Sequence, residues 1–242
     1  MSGKKPYLVL LPNFLSEEAS LETLPAIVGQ KVSCLDGIIA ENEKEARKYL
    51  KHFSFKEGKT FRDIPIRLLN EHTSKEELQE LLIPILQSET WGIISDAGLP
   101  CIADPGAQLV ALAKQKGIQV EAISGPSSVF LALMLSGLSA QRFFFQGYLE
   151  RDPEKLRAEI RVLEKESKQR KCTQVCIEAP YRSLSLFTAL VQTLEDSTKL
   201  SISCDLTSKT EMSETLPIRQ WKKRAEPDLQ KKPTIFLFNA SE

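Results

Sequence analysis

The stretch Gly92-Ile-Ile-Ser-Asp-Ala-Gly-Leu-Pro-Cys-Ile-Ala-Asp-Pro-Gly106 sets three glycines, two prolines and two aspartates directly behind a short apolar run. The run from Trp91 to Ile94 reads as a strand, which puts Ser95-Asp96-Ala97-Gly98 at its carboxyl end, where open α/β sheets take their ligands. Gly98 lets the chain turn sharply and approach a ligand, and Pro100 and Pro105 stiffen its return. The loop offers backbone amides, carbonyls and two carboxylates rather than a phosphate nest. Asp104 reads as the N-cap of a helix with Pro105 at its first position, Lys114 and Lys116 in its last turn and Gly117 just beyond. The local alternative has Asp96 bonding only its own turn. For Asp104 capping is preferred; the loop as a whole reads as a site.

Outward from this loop, apolar runs of strand length recur at Tyr7 to Leu11, Val32 to Ile39, Ile64 to Leu69 and Ile118 to Ile123. Ser74-Lys-Glu-Glu77 is a capping box, and Leu78, Leu81, Leu82 and Ile85 follow at helical spacing, with Pro84 expected to kink or end the helix. A second series runs strand Phe143 to Tyr148, helix Asp152-Pro153 to about Lys168, strand Thr173 to Glu178, helix Arg182 to Leu194, strand Leu200 to Leu206 and strand Thr234 to Phe238. Such alternation predicts two α/β domains, 1–123 and 124–242, with mainly parallel sheets, because parallel strands need crossovers that helices supply. The segment Ser124 to Gly137 is apolar on nearly every side and is expected to be a helix buried where the domains meet. No long linker separates them, so a ligand cleft between the two is expected.

The 242 residues suffice for one large domain or two small ones, and 42% hydrophobic with 26% charged residues is an ordinary globular balance. Lys plus Arg and Asp plus Glu both number 32, so any nucleic-acid contact must use a local patch. Five cysteines at irregular spacing do not form a secreted disulfide framework. No apolar run approaches the roughly 20 residues of a membrane span, and the run after the N-terminal lysines is too short for a signal core, so the cytoplasm is the expected compartment.

Several chemistries find no support. There is no G-x-G-x-x-G, and Gly58-Lys59-Thr60 lacks the glycine five residues earlier that a P-loop needs, since Phe53 stands there. It reads as a surface loop. The two histidines, His52 and His72, have no ligand partner at a metal spacing, so no metal is expected. Cys172 and Cys176 fall on one face of a strand as small buried thiols. Ser-His or Cys-His nucleophilic chemistry has little to stand on.

Ser95-Asp-Ala-Gly-Leu-Pro-Cys-Ile-Ala-Asp-Pro-Gly106 resembles the S-D-A-G-T-P-x-I-S-D-P-G signature of the small-subunit ribosomal RNA (cytidine-2′-O)-methyltransferase family, a branch of the tetrapyrrole methylase superfamily. The likeness continues in Asn70-Glu-His72 (H-E-H), Ser124-Gly-Pro-Ser-Ser128 (P-G-P-S-A), Ser136-Gly-Leu-Ser-Ala-Gln-Arg-Phe143 (S-G-L-P-x-x-x-F), Gln146-Gly-Tyr-Leu149 (x-G-F-L), Glu178-Ala-Pro-Tyr-Arg182 (E-S-P-H-R) and Asp205-Leu-Thr207 (E-L-T). The resemblance implies a two-domain α/β protein, usually a homodimer, that binds S-adenosyl-L-methionine in the interdomain cleft. Carried over by position, the cofactor contacts are Asp96, Ala97, Gly98, Ile102, Ala103, Ser127 and Ser128. Pro12 in the first loop and Pro233 and Thr234 before the last strand are further candidates. The local reading of Ser127 and Ser128 is a helix N-cap. No metal is required by the sulfonium chemistry.

The sequence also departs from the family. The first loop, G-T-P-I-G-N there, is Leu11-Pro-Asn-Phe-Leu15 here, keeping Pro12 and losing both glycines. A-E-D-T-R becomes Ala40-Glu-Asn-Glu-Lys44, so Asn42 replaces an acid and Lys44 an arginine, which is not an even exchange for a forked guanidinium. Glu41 is the candidate for the general base, with a solvated surface glutamate as its alternative. Two basic clusters, Lys165 to Lys171 and Arg219 to Arg224 around Trp221, either meet RNA or are solvated helix faces. The reading is a methyltransferase acting on a ribose 2′-hydroxyl of ribosomal RNA, the small ribosomal subunit being the partner. Its rivals are methylation of a tetrapyrrole or a protein, and a binding module that keeps the cofactor pocket without catalysis.

Overall fold

The computed structural model describes residues 5–56 and 58–241. They divide into two units, 1–127 and 128–242. In the first, the chain runs β1 (Tyr7–Leu10), α1 (Ile27–Val32), β2 (Gly37–Ala40), α2 (Glu43–Leu50), β3 (Ile66–Leu68), α3 (Lys75–Leu86), β4 (Thr90–Ile93), α4 (Gly106–Gln115) and β5 (Gln119–Ala122). The strands form one sheet in the order β3-β2-β4-β1-β5, and every pairing is parallel. Successive side chains of a strand face opposite ways, so both faces need cover. Val9 and Ile38 pack with Val28 and Val32 of α1 and Ala46, Tyr49 and Leu50 of α2. Their neighbours Leu8 and Ile39 pack on the other face with Leu78 and Leu82 of α3 and Leu109 of α4.

Two local expectations are corrected, and of the two effects expected of Pro84, a kink or an end, the end is not found. The strand anticipated from Val32 begins only at Gly37, because Val28 and Val32 stand one turn apart on helix α1 and bury the same face. Pro84 does not end α3, which continues to Leu86. A proline removes the N–H that would bond the carbonyl four residues back; here that carbonyl, of Glu80, accepts instead from Arg67 Nη1 at 2.7 Å. Asp104 does not cap α4: Pro105 holds the N-cap position without a side-chain bond, and the Asp104 carboxyl lies in a small recess with Ser95, whose hydroxyl donates to Ala97 O at 3.0 Å.

The second unit comprises α5 (Ser128–Ser136), β6 (Phe143–Tyr148), α6 (Pro153–Arg170), β7 (Thr173–Glu178), α7 (Ser183–Thr193), β8 (Lys199–Cys204), β9 (Met212–Pro217), α8 (Ile218–Trp221) and β10 (Thr234–Asn239). Its sheet order is β6-β7-β10-β8-β9. β6 and β7 are parallel, whereas β10 runs antiparallel between β7 and β8, and β8 and β9 form an antiparallel pair. Parallel pairings still predominate over the two sheets. Asp152 caps α6 through the N–H groups of Glu154 and Lys155, with Pro153 at the first position.

The helix expected to be buried on all sides is buried on one. Val129, Ala132 and Leu133 of α5 join a core with Val175, Ile235 and Leu237, while Phe130, Leu135 and, at 77% exposure, Met134 face outward. An unbroken apolar sequence has no polar face to reveal which side packs.

Candidate functional site

In the first unit the connections after β1 and β2 pass over the face covered by α1 and α2, whereas the connection after β4 passes over the face covered by α3 and α4. β4 lies between β1 and β2, so the covering layers part on either side of its carboxyl end. An open sheet offers a crevice at such a reversal. The Ser95–Gly106 loop leaves the sheet at this point, with Glu41 at the end of β2 and Pro12 to Leu15 following β1.

The loops after β1 and β4 are tied together. Asn13 Nδ2 donates to the carbonyl of Ser95 at 2.8 Å and to that of Asp96 at 3.1 Å. Its backbone N–H donates to Gly98 O at 2.7 Å, and its Oδ1 accepts from Phe14 N–H at 2.8 Å. Asn13 is 5% exposed, so each of these groups would be costly to leave unmatched. Gly98 has φ +71°, and a Cβ there would stand 3.0 Å from Leu15. Cys101 and Ala103 also take positive φ, at 67° and 66°, although neither is glycine. Three left-handed residues in so short a loop hold its backbone groups in an unusual array, a form of strain typical of binding loops.

Carboxylates converge beneath this loop. Burial, then the charges of Asp104 and Asp96, push Glu41 up to about 7, against the downward pull of the Asp96 backbone N–H that bonds it. Burial likewise raises Asp104 to about 6, with the Ser95 hydroxyl opposing and Asp96 adding to the rise. Burial and the charge of Glu45 raise Asp96 as well. Glu41 and Asp104 share a small recess with Ser95 and Cys101. Among the described residues, no group of three or more His, Cys, Asp or Glu is disposed to hold a metal ion. The arrangement suits proton transfer near neutral pH. Beside it a groove of about 490 Å³ runs past Asn13, Leu15, Tyr49, His52, Asp96 and Ala97.

A family profile described as Tetrapyrrole (Corrin/Porphyrin) Methylases matches residues 16–221, most of the chain. The chain belongs to the tetrapyrrole methylases. Among curated relatives, a protein of Halalkalibacterium halodurans named Ribosomal RNA small subunit methyltransferase I is 34% identical over 149 residues, 61% of this chain and 47% of its own length. Proteins of the same name from Thermotoga maritima and Vibrio cholerae are 31% identical over 162 residues and 30% identical over 210 residues. These matches cover 67% and 85% of this chain, and 68% of each relative. The chain thus spans about half to two thirds of the relatives' lengths.

Of the residues singled out in this tetrapyrrole methylase, the first unit gathers Pro12, Glu41, Asp96, Ala97, Gly98, Ile102 and Ala103 on the loops that follow β1, β2 and β4. Asp96, Ala97, Ile102 and Ala103 are exposed, and Glu41 is half-buried rather than a free surface group. Ser127 closes the first unit, and Ser128, the first residue of α5, opens the second. Pro233 is exposed, and Thr234 is buried with its hydroxyl donating to Lys232 O at 3.0 Å. Asn42, where the family has an acid, is the N-cap of α2 and accepts from Lys44 N–H at 2.9 Å, a task asparagine performs as well as aspartate. Sequence reading missed Asn13 and the Asp104–Glu41 pairing. An asparagine directly after a strand-ending proline was the available signal for the first.

In the basic cluster Arg219 to Arg224 the tryptophan is an anchor of the core rather than an outward ring. Trp221 is buried, donates Nε1–H to Leu200 O at 3.0 Å and packs edge-on to Phe187. Lys222 pairs with Asp196 and Arg224 with Glu214.

Proposed function

We propose that the chain is an S-adenosyl-L-methionine-dependent methyltransferase whose acceptor is a ribose 2′-hydroxyl of small-subunit ribosomal RNA. The observation that carries this reading is an open, backbone-rich turn from Asp96 to Ala103 lying over a carboxylate, Glu41, that titrates at about 7. The names of the relatives support the acceptor class.

The residues present fit the cofactor. An adenosine joined to an amino acid needs acceptors for its hydroxyls and amine, backbone partners for the base and an apolar surface against the ring. The exposed Asp96 carboxylate serves the first. The exposed backbone of Ala97 and Ala103 serves the second, on a turn that Gly98, buried and bonded to Asn13 and Phe14, makes possible, and Ile102, 42% exposed, serves the third. Pro12 shapes the floor; Ser127, Ser128, Pro233 and Thr234 are proposed as further contacts by resemblance. When bound, the cofactor supplies a methyl group on a positively charged sulfur.

The chain's own part is then to orient the acceptor and to remove its proton. Orientation alone accounts for much of the rate of an in-line displacement. Glu41, ionised above about pH 7, accepts at its carboxylate the proton that the hydroxyl releases. The exposed apolar side of α5, with Phe130, Met134 and Leu135, is the surface we assign to a homodimer. An RNA acceptor places the protein in the cytoplasm with the ribosome.

Calorimetric titration with S-adenosyl-L-methionine, then transfer of labelled methyl to the host's bulk RNA, tests the reading. Binding with label in RNA is expected. Label in protein or porphyrinogen instead, or binding with no product, would leave one of the rival readings standing, and no binding would remove them all.

A further inference from the structure

At the far end of α6 the second unit carries a groove of about 730 Å³ that the methyl-transfer site does not use. Two segments build it: the end of α6 and the entry to β6. Phe143, Phe144 and Phe145 follow one another along β6, and strand alternation sends Phe143 and Phe145 into the core while Phe144 stands outward, 38% exposed. Arg170 lies over the Phe144 ring, its guanidinium carbon 5.4 Å from the centroid. Arg142 and Lys171 flank the ring, and all three cations are exposed. The residues lining the groove include no acid; Glu166, one turn back, pairs with Arg170 at 3.1 Å. Gln141 and Gln169 add exposed amides that can both donate and accept.

A helix C-terminus commonly carries basic residues, which accounts for Lys168 and Arg170. It does not account for the outward ring, for Arg142 on the opposite wall, or for Lys171, which takes the left-handed conformation at φ +49° where glycine is cheaper. Cations to follow a phosphate backbone, a ring for a base and amides for base edges are the parts of a single-strand nucleic-acid platform.

We infer that this groove, formed by the end of α6 and the start of β6, is a docking platform for single-stranded RNA, holding a segment of the acceptor away from the methylated nucleotide. The inference rests on the RNA acceptor proposed above and adds where the second unit grips it. Phe144, its stack extended by the Arg170 guanidinium over the ring, takes a base, and Arg142 and Lys171 contact phosphates.

The test uses the whole chain, with fluorescence anisotropy on a labelled single-stranded RNA of about ten nucleotides across a salt series. Phe144→Leu keeps the apolar contact and removes the ring; it is expected to weaken binding about tenfold with an unchanged salt slope. Arg142→Ala and Lys171→Gly are each expected to weaken binding and to lower the salt slope by about 0.7. Lys171→Gly also eases the backbone, so its loss cannot come from misfolding. Lys222→Ala removes the same charge from a paired site in the same unit and should bind as the parent does.

If groove variants and parent bind the RNA alike, the platform is overturned while the acceptor reading stands. If Lys222→Ala loses as much as they do, or if a duplex RNA responds to them equally, simple charge attraction is at work and the platform is likewise overturned. If the parent binds cofactor but no RNA, both the platform and the RNA acceptor fail.

Discussion

Pro12 lies against Gly125 so closely that a Cβ at position 125 would stand 2.1 Å from the Pro12 Cβ. The loop after β1 and the loop after β5 are thereby pressed together with no room for a methyl group. Neither partner can retreat freely, since Pro12 is rigid and precedes the Asn13 bonds to the β4 loop. Gly125→Ala should cost about 1–3 kcal/mol through overpacking. The drop in urea midpoint measures it, and cofactor affinity should fall with it because the same loops frame the site.

Asn13→Ala leaves the carbonyls of Ser95 and Asp96 without their buried donor. A loss of about 1–3 kcal/mol is expected. Asn13→Asp should lose more, since a carboxylate oxygen would face two carbonyl oxygens. Thermal melts rank the three proteins; equal melting temperatures would show that the amide does not fasten the loop.

Glu41→Gln should lower the methyl-transfer rate about 10²- to 10⁴-fold with little change in cofactor affinity. In the parent, activity should rise with pH through about 7 as Glu41 ionises. Stability should move the other way. Folding raises the Glu41 pKa from 4.5 to about 7, so between those values the unfolded chain gives up its proton first and rising pH favours unfolding. Glu41→Gln should flatten that decline, leaving the part due to Asp104, which titrates at about 6. A parent whose stability is level across this window would contradict the burial of Glu41.

Met134→Asp places a charge on the outward side of α5, where Met134 is 77% exposed. The substitution should cost the monomer little and turn a dimer into a monomer in sedimentation velocity. A parent that sediments as a monomer would dismiss the proposed interface.

Much of the first unit was legible because its strands must be apolar on both faces and its turns use residues with fixed conformational roles. Ser74-Lys-Glu-Glu77 is the capping box it reads as, with Ser74 and Glu77 bonding reciprocally. Strand and helix types are read well wherever one element satisfies its own backbone. Pro84 went unread because its missing bond is made good from another element by Arg67, which no local pattern reveals. Strand β9 went unread because an edge strand of half-buried residues, Met212 to Pro217, has no apolar alternation to display.

The candidate site divides in the same way. Its turn was visible, since Gly98 and the flanking prolines announce a chain reversal. The raised pKa of Glu41 was not, because it arises first from burial and then from the charges of Asp104 and Asp96, more than fifty residues later in the chain and adjacent only once β2 and β4 pair. Asp104 illustrates the limit: aspartate before proline and glycine fits a helix cap, yet the residue shares a small recess with Glu41 instead.

The two sheets also set different tasks for the chain as it leaves the ribosome. Tyr7, on the strand next to one edge of the first sheet, pairs with Thr90 on one side and Gln119 on the other. In the second sheet Cys204 meets Met212 across a short hairpin. Closing a long loop must precede any reward from the pairing, and such closures are slow. Strand β1 therefore waits for most of its unit before it has neighbours, while the later hairpin can zip within moments of emerging. Until β4 and β5 are made, both edges of β1 stand without their partners.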